Sequence, residues 1–102
     1  MSRYRLAAPA REDLVEIWEF IAEESGEART ADRAVDAIIE RLVMLARNPR
    51  AGRLRDEIGP GMRSFPAGAY IVYYRLGSGG RVTIARVLHG SRDQAASYDE
   101  AG

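Results

Sequence analysis

The sequence predicts an α+β domain of order β-α-α-β-β-β, a helical hairpin packed on a small, mainly antiparallel sheet. Apolar residues recur at helical spacing through the first half, at Leu14, Ile17, Trp18 and Ile21 and again at Val35, Ile38, Leu42 and Leu45. After residue 61 the period shortens to two, in segments dense in aromatic and β-branched residues. The 102 residues make a single domain over 1–102, because neither half could bury a core alone.

Residues 3–7 read as a short first strand. Pro9 then suits a first helical turn, and Glu12 and Asp13 suit the positive end of a helix running to about Ser25. Leu14, Ile17, Trp18, Ile21 and Ala22 share one arc of that helix, with Glu12, Glu16, Glu19 and Glu23 largely opposite and Phe20 outside the arc. Trp18 sits mid-stripe and reads as core. Gly26 is the expected C-cap. The second helix starts near residues 27–30 and ends at Arg47, because Asn48 precedes Pro49 and a residue before proline avoids helical geometry. Ala31, Ala34, Val35, Ile38, Leu42 and Leu45 form its stripe, while Val43 and Met44 lie toward its flanks. Residues 49–61, rich in Gly, Pro and Arg, read as an ordered loop. Strands follow at 62–65, 70–76 and 81–88, joined by short turns at 66–68 and 77–80 into an antiparallel meander. The first strand is expected to run antiparallel to its partner if it joins the first or last strand of that meander. The tail over 91–102 is polar, either frayed or a brief helix.

Zero net charge hides an asymmetry: residues 1–40 carry five Arg against ten acids, whereas 41–92 carry ten Arg against Asp56 and Glu57. Such a basic half can hold an acidic surface or nucleic acid. All fifteen basic residues are Arg, so no lysine acid, base or Schiff base is available. The sequence has no cysteine and one histidine, which removes disulfides and thiolate chemistry and leaves no metal site or cofactor expected. No stretch nears the roughly 18 apolar residues that span a bilayer, and the opening residues lack a signal-peptide run, so the expected address is the cytoplasm.

Several stretches carry a resemblance when taken in order. They are Tyr4-Arg-Leu, Pro9-Ala-Arg-Glu-Asp-Leu14, Ile17-Trp-Glu-Phe-Ile-Ala22, Asn48-Pro-Arg-Ala-Gly52, Gly61-Met-Arg-Ser-Phe65, Tyr70-Ile-Val-Tyr-Tyr-Arg75 and Arg86-Val-Leu-His-Gly-Ser-Arg-Asp93. Together they resemble the ParE/RelE toxin superfamily of bacterial type II toxin–antitoxin systems, and His89-Gly-Ser-Arg-Asp93 is closer to its ParE branch. The resemblance implies a toxin that inhibits DNA gyrase by binding and is neutralised by a ParD-like antitoxin. It also implies two alternatives: a ribosome-dependent mRNA endoribonuclease of RelE type, or a non-toxic interaction module of the same fold.

Candidate sites follow these readings. For RNA cleavage the set is Arg63, Arg86 and His89, with cations for phosphates and an imidazole for proton transfer. Against it stand the absence of Lys and the position of Tyr98, nine residues beyond His89. For target binding the candidates are Arg63, Arg75 and Arg92. For antitoxin binding they are the surplus apolar positions Phe20, Val43 and Met44 together with Arg53 and Arg55. Core packing for the apolar three, and a solvated loop for Arg47, Arg50, Arg53 and Arg55, remain open. Gly77-Ser-Gly-Gly80 lacks the lysine and the following helix of a phosphate loop and reads as a hairpin turn.

Overall fold

The computed structural model describes residues 4–92. The chain runs through β1 (Tyr4–Leu6), α1 (Ala8–Ser25), α2 (Ala28–Arg47), β2 (Arg53–Leu54), β3 (Arg63–Ala67), β4 (Tyr70–Leu76) and β5 (Val82–His89). The five strands form one sheet in the order β1-β5-β4-β3-β2.

The helices begin and end where local chemistry dictates. Pro9 occupies the first turn of α1, where its missing N–H costs no bond. Gly26, at φ 74°, closes that helix by donating its N–H to Ala22 O. Trp18 is half-buried rather than core. Its indole N–H donates to Asp32 Oδ1 at 2.8 Å, tying α1 to α2. Leu14 and Ile17 of α1 and Ile38, Leu42 and Leu45 of α2 bury themselves against Val72, Tyr74, Val82, Ile84 and Val87 of the sheet.

The expected direction of the first strand is overturned. β1 joins the last strand, β5, and runs parallel to it, pairing Tyr4 with Val82 and Leu6 with Ile84. The physical reason lies in residues 49–61, which are not only a loop. They carry β2, antiparallel to β3 with Arg53 opposite Ser64. That extra traverse returns the chain to the starting end and reverses every later strand.

The turn expected at 66–68 also moves, since β3 extends to Ala67 and Pro66 pairs with Ile71. Arg55 N–H bonds Met62 O, so alternate residues of β3 turn their backbone groups toward β2. Pro66 falls in that phase beyond the end of β2, where a missing donor breaks no ladder.

Alternation sends Phe65, Val72 and Tyr74 to the helix face and Ser64 and Tyr73 to the other. Tyr73 is nevertheless fully buried. Residues 55–61 fold across that second face, with Arg55 Nη1 donating to Ser64 Oγ at 3.1 Å and Arg75 Nε to Pro60 O at 3.1 Å.

Candidate functional site

The arginines expected to act together are separated by one strand of the sheet. Arg63 lies on β3 and Arg86 on β5, with β4 between them. Arg63 is opposite Tyr74 and His89 opposite Tyr70, so those two residues are offset by four positions along β4. Two strand spacings and four residue rises separate their Cα atoms by roughly 16 Å.

Each of the three also has local work. Arg63 Nη1 donates to Gly52 O at 2.7 Å, holding the segment that leads into β2. Arg86 forks onto the Asp13 carboxylate of α1, Nε to Oδ2 at 2.8 Å and Nη2 to Oδ1 at 3.0 Å. Asp13 Oδ2 additionally accepts the Val87 N–H at 2.9 Å. Asp13 was read from sequence as a helix-end charge, yet it lies past the first turn and is buried against the sheet. Its role depends on a partner 73 residues away, which no local pattern announces.

His89 is exposed and meets Tyr70 edge to face, with ring centroids 5.4 Å apart. Ser91 N–H donates to His89 Nδ1 at 3.1 Å, and Ser91 Oγ lies 2.9 Å from the same nitrogen. An accepting Nδ1 leaves the proton of the neutral ring on Nε2. Phe20, 59% exposed, lines a cleft of about 480 Å³ between α1 and β5, along with Glu16, Ile17, Tyr70, Arg86 and His89.

The apolar residues proposed to meet an antitoxin therefore do different things. Phe20 opens onto the α1/β5 cleft, Val43 is 40% exposed on α2, and Met44 packs against the core cluster. Val15 and Leu54, which the periodicity did not single out, are also exposed apolar side chains.

Among the basic residues of the loop, Arg47, Arg50 and Arg53 are exposed, as is Arg75 on β4. Arg55 is not a surface contact residue. It is 5% exposed, reaching Ser64 and pairing with Glu57 Oε2 at 2.6 Å. That hydrogen bond holds the Glu57 carboxyl below its ordinary value. The loop is latched from within by Tyr74, whose hydroxyl accepts Gly52 N–H at 2.8 Å and donates to Pro49 O at 2.7 Å. Burial raises the Tyr74 phenol above its usual 10.0. A side chain at Gly52 would place its Cβ 2.5 Å from the Tyr74 oxygen, so only glycine fits.

Arg92 ends the turn Gly90–Arg92, but its side chain lies outside the described residues, as does the tail with Tyr98. Among the described residues no cluster of acids and histidine could hold a metal ion. No helix among them is long and apolar enough to cross a membrane.

Comparison with known proteins places this geometry. Residues 4–94 match the family described as the ParE toxin of the type II toxin–antitoxin system parDE. The chain is 38% identical over 94 residues to toxin ParE1 of Mycobacterium tuberculosis, covering 90% of this chain and 93% of that protein. It is 37% identical over 98 residues to toxin ParE1 of Caulobacter vibrioides, covering 94% and 97%. Its fold matches a chain of the chromosomal ParDE system from P. aeruginosa with a TM-score of 0.72 and 24% identity, covering 87% of this chain and 95% of that one.

Proposed function

The chain belongs to the ParE toxin family of type II toxin–antitoxin systems, and on that premise we propose that it inhibits DNA gyrase in the cytoplasm by binding it, under the control of a cognate ParD-like antitoxin. The observation that carries a binding mechanism is the separation of Arg63 from Arg86 and His89, which line one cleft on the far side of β4. Arg86 is engaged with Asp13, Arg63 with Gly52 O, and His89 stands roughly 16 Å from Arg63. A proton donor and the cations that stabilise its transition state must converge on one phosphate, within hydrogen-bond reach.

Two surfaces support antitoxin capture. Exposed Arg47, Arg50 and Arg53 border the latched loop and offer forked donors to partner carboxylates. Phe20 and Val43 leave apolar surface on the helical hairpin for an amphipathic helix. Arg63, Arg75 and Arg92 remain the target-facing candidates; buried Arg55 leaves the contact set, and Met44, partly buried against the core, offers it less surface than Phe20 or Val43.

Expression without antitoxin tests this reading, scoring gyrase-dependent DNA breaks and mRNA cleavage in the same cells. DNA breaks with intact mRNA are expected, and His89→Ala is expected to leave toxicity near the parent level. Codon-phased mRNA cuts that fall about 100-fold in His89→Ala would overturn it in favour of the endoribonuclease. Growth without either lesion would identify a non-toxic module.

A further inference from the structure

Strand alternation gives the sheet a second face that carries no helix. Tyr4 and Leu6 of β1, Tyr74 and Leu76 of β4, and Val82 and Ile84 of β5 pack into the core beneath the helices. The residues between them, Arg5, Arg75 and Thr83, therefore project from the opposite face. The register puts them in one row: Arg5 pairs with Thr83, and Thr83 with Arg75. Gly77 N–H bonds Arg81 O at 2.6 Å, so the ladder continues past Val82 with Arg81 in phase with Thr83. Its cross-strand neighbour, Gly77, has no side chain to cover it.

Three arginines thus surround Thr83. Arg5 and Arg75 stand two strand spacings apart, roughly 10 Å between Cα atoms, and Arg81 lies two residue rises from Thr83, roughly 7 Å. All three are exposed, and among the described residues none is ion-paired to a carboxylate. Arg75 is also held in place. Its Nε donates to Pro60 O at 3.1 Å, and a Cβ at Gly59 would stand 2.7 Å from its Nη2, so the glycine leaves the guanidinium room to lie along the loop.

The acids that could neutralise this row are elsewhere. The ten acids of residues 1–40 lie on or between α1 and α2, across the sheet. On the loop at 55–61, Asp56 Oδ1 accepts Gly61 N–H at 2.9 Å and Glu57 is bonded to Arg55. The domain therefore has a cationic face and an anionic back, which orients it on a polyanion.

We infer that Arg5, Arg75 and Arg81 form a phosphate-binding surface for the backbone of duplex DNA on the helix-free face of the sheet. Duplex DNA carries one charge per roughly 1.7 Å of axis, so a triangle of this size meets several phosphates at once. Guanidinium forks suit phosphate oxygens. A single strand is the poorer fit, because Tyr73 is the sole aromatic of the described residues on this face and it is fully buried, leaving no platform for a base. The inference gives Arg75 a nucleic-acid contact and does not depend on gyrase being the target.

The test mixes the full chain with short fluorescein-labelled duplexes of two unrelated sequences and reads fluorescence anisotropy. Both should bind alike, because phosphate contacts carry no sequence information. Three phosphate contacts give a log–log salt slope of about −2.7, so affinity should fall about 40-fold between roughly 50 and 200 mM salt. Arg5→Ala and Arg81→Ala each remove one contact and should reduce that fall to about 12-fold. Arg33→Ala, at an exposed position of α2, should leave binding unchanged. No binding, binding without salt dependence, or an equal loss from Arg33→Ala would overturn the proposal. Tighter binding of polyglutamate would overturn it in favour of an acidic protein, and tighter binding of single-stranded DNA would overturn the choice of duplex. Gyrase-dependent breaks from a chain without duplex affinity would sink this inference alone and leave the gyrase reading standing.

Discussion

Replacing Asp13 with Ala removes three hydrogen bonds at one point, two from the Arg86 guanidinium and one from Val87 N–H. The two side chains differ in burial, 9% exposed for Asp13 and 32% for Arg86. Stripping the partner from a fully buried ion pair costs about 3–5 kcal/mol, chiefly because a charge is left desolvated. A guanidinium one-third exposed recovers some hydration, which puts this loss at the lower end, about 3 kcal/mol. For a domain of this size that corresponds to a fall in Tm of about 12–24 °C. Urea unfolding followed by circular dichroism should show a lower midpoint at unchanged slope. Arg86→Leu and the double variant Asp13→Ala/Arg86→Leu complete a cycle whose coupling should be about 1.5–3 kcal/mol. A loss under about 1 kcal/mol for Asp13→Ala, or additive single variants, would refute the view that this pair fastens α1 to β5.

Tyr74→Phe leaves the buried Gly52 N–H without its acceptor and should cost about 1–3 kcal/mol, with faster amide exchange at Gly52. Its pH dependence has a definite sign: the folded-state phenol is raised above 10.0, so the parent loses stability as pH climbs past that value. The gap between parent and Tyr74→Phe should therefore close in alkaline urea titrations. Phe20→Asp should change stability by about 0.5 kcal/mol or less, whereas Met44→Asp, placing a carboxylate against the core, should cost more than about 2 kcal/mol.

Much of the fold was legible because its helices and meander advertise themselves locally. The apolar spacing of Ile38, Leu42 and Leu45 predicts the buried face of α2, and Asn48-Pro49 predicts its end. β2 escaped notice because two exposed residues carry no periodicity, and its omission inverted the expected direction of β1. The site was less legible for a related reason. Arg55, Arg63 and Arg86 read alike in sequence, since nothing local distinguishes an arginine that meets solvent from one that meets Asp13, Ser64 or a carbonyl. Likewise the apolar surplus at Phe20, Val43 and Met44 was visible, but its division between cleft, surface and core depends on how α1 lies across β5.

The position of β5 has a consequence for the order of events during synthesis. It is the last of the described strands to be made, yet it lies between β1 and β4 and receives α1 through Asp13. A nascent chain that still has residues 82–89 inside the ribosome holds a helical hairpin and an incomplete meander, with its first strand unpaired. Closing the sheet joins segments nearly eighty residues apart, the kind of non-local pairing that slows folding. The complete five-stranded sheet thus forms only after residues 82–89 have been made and released.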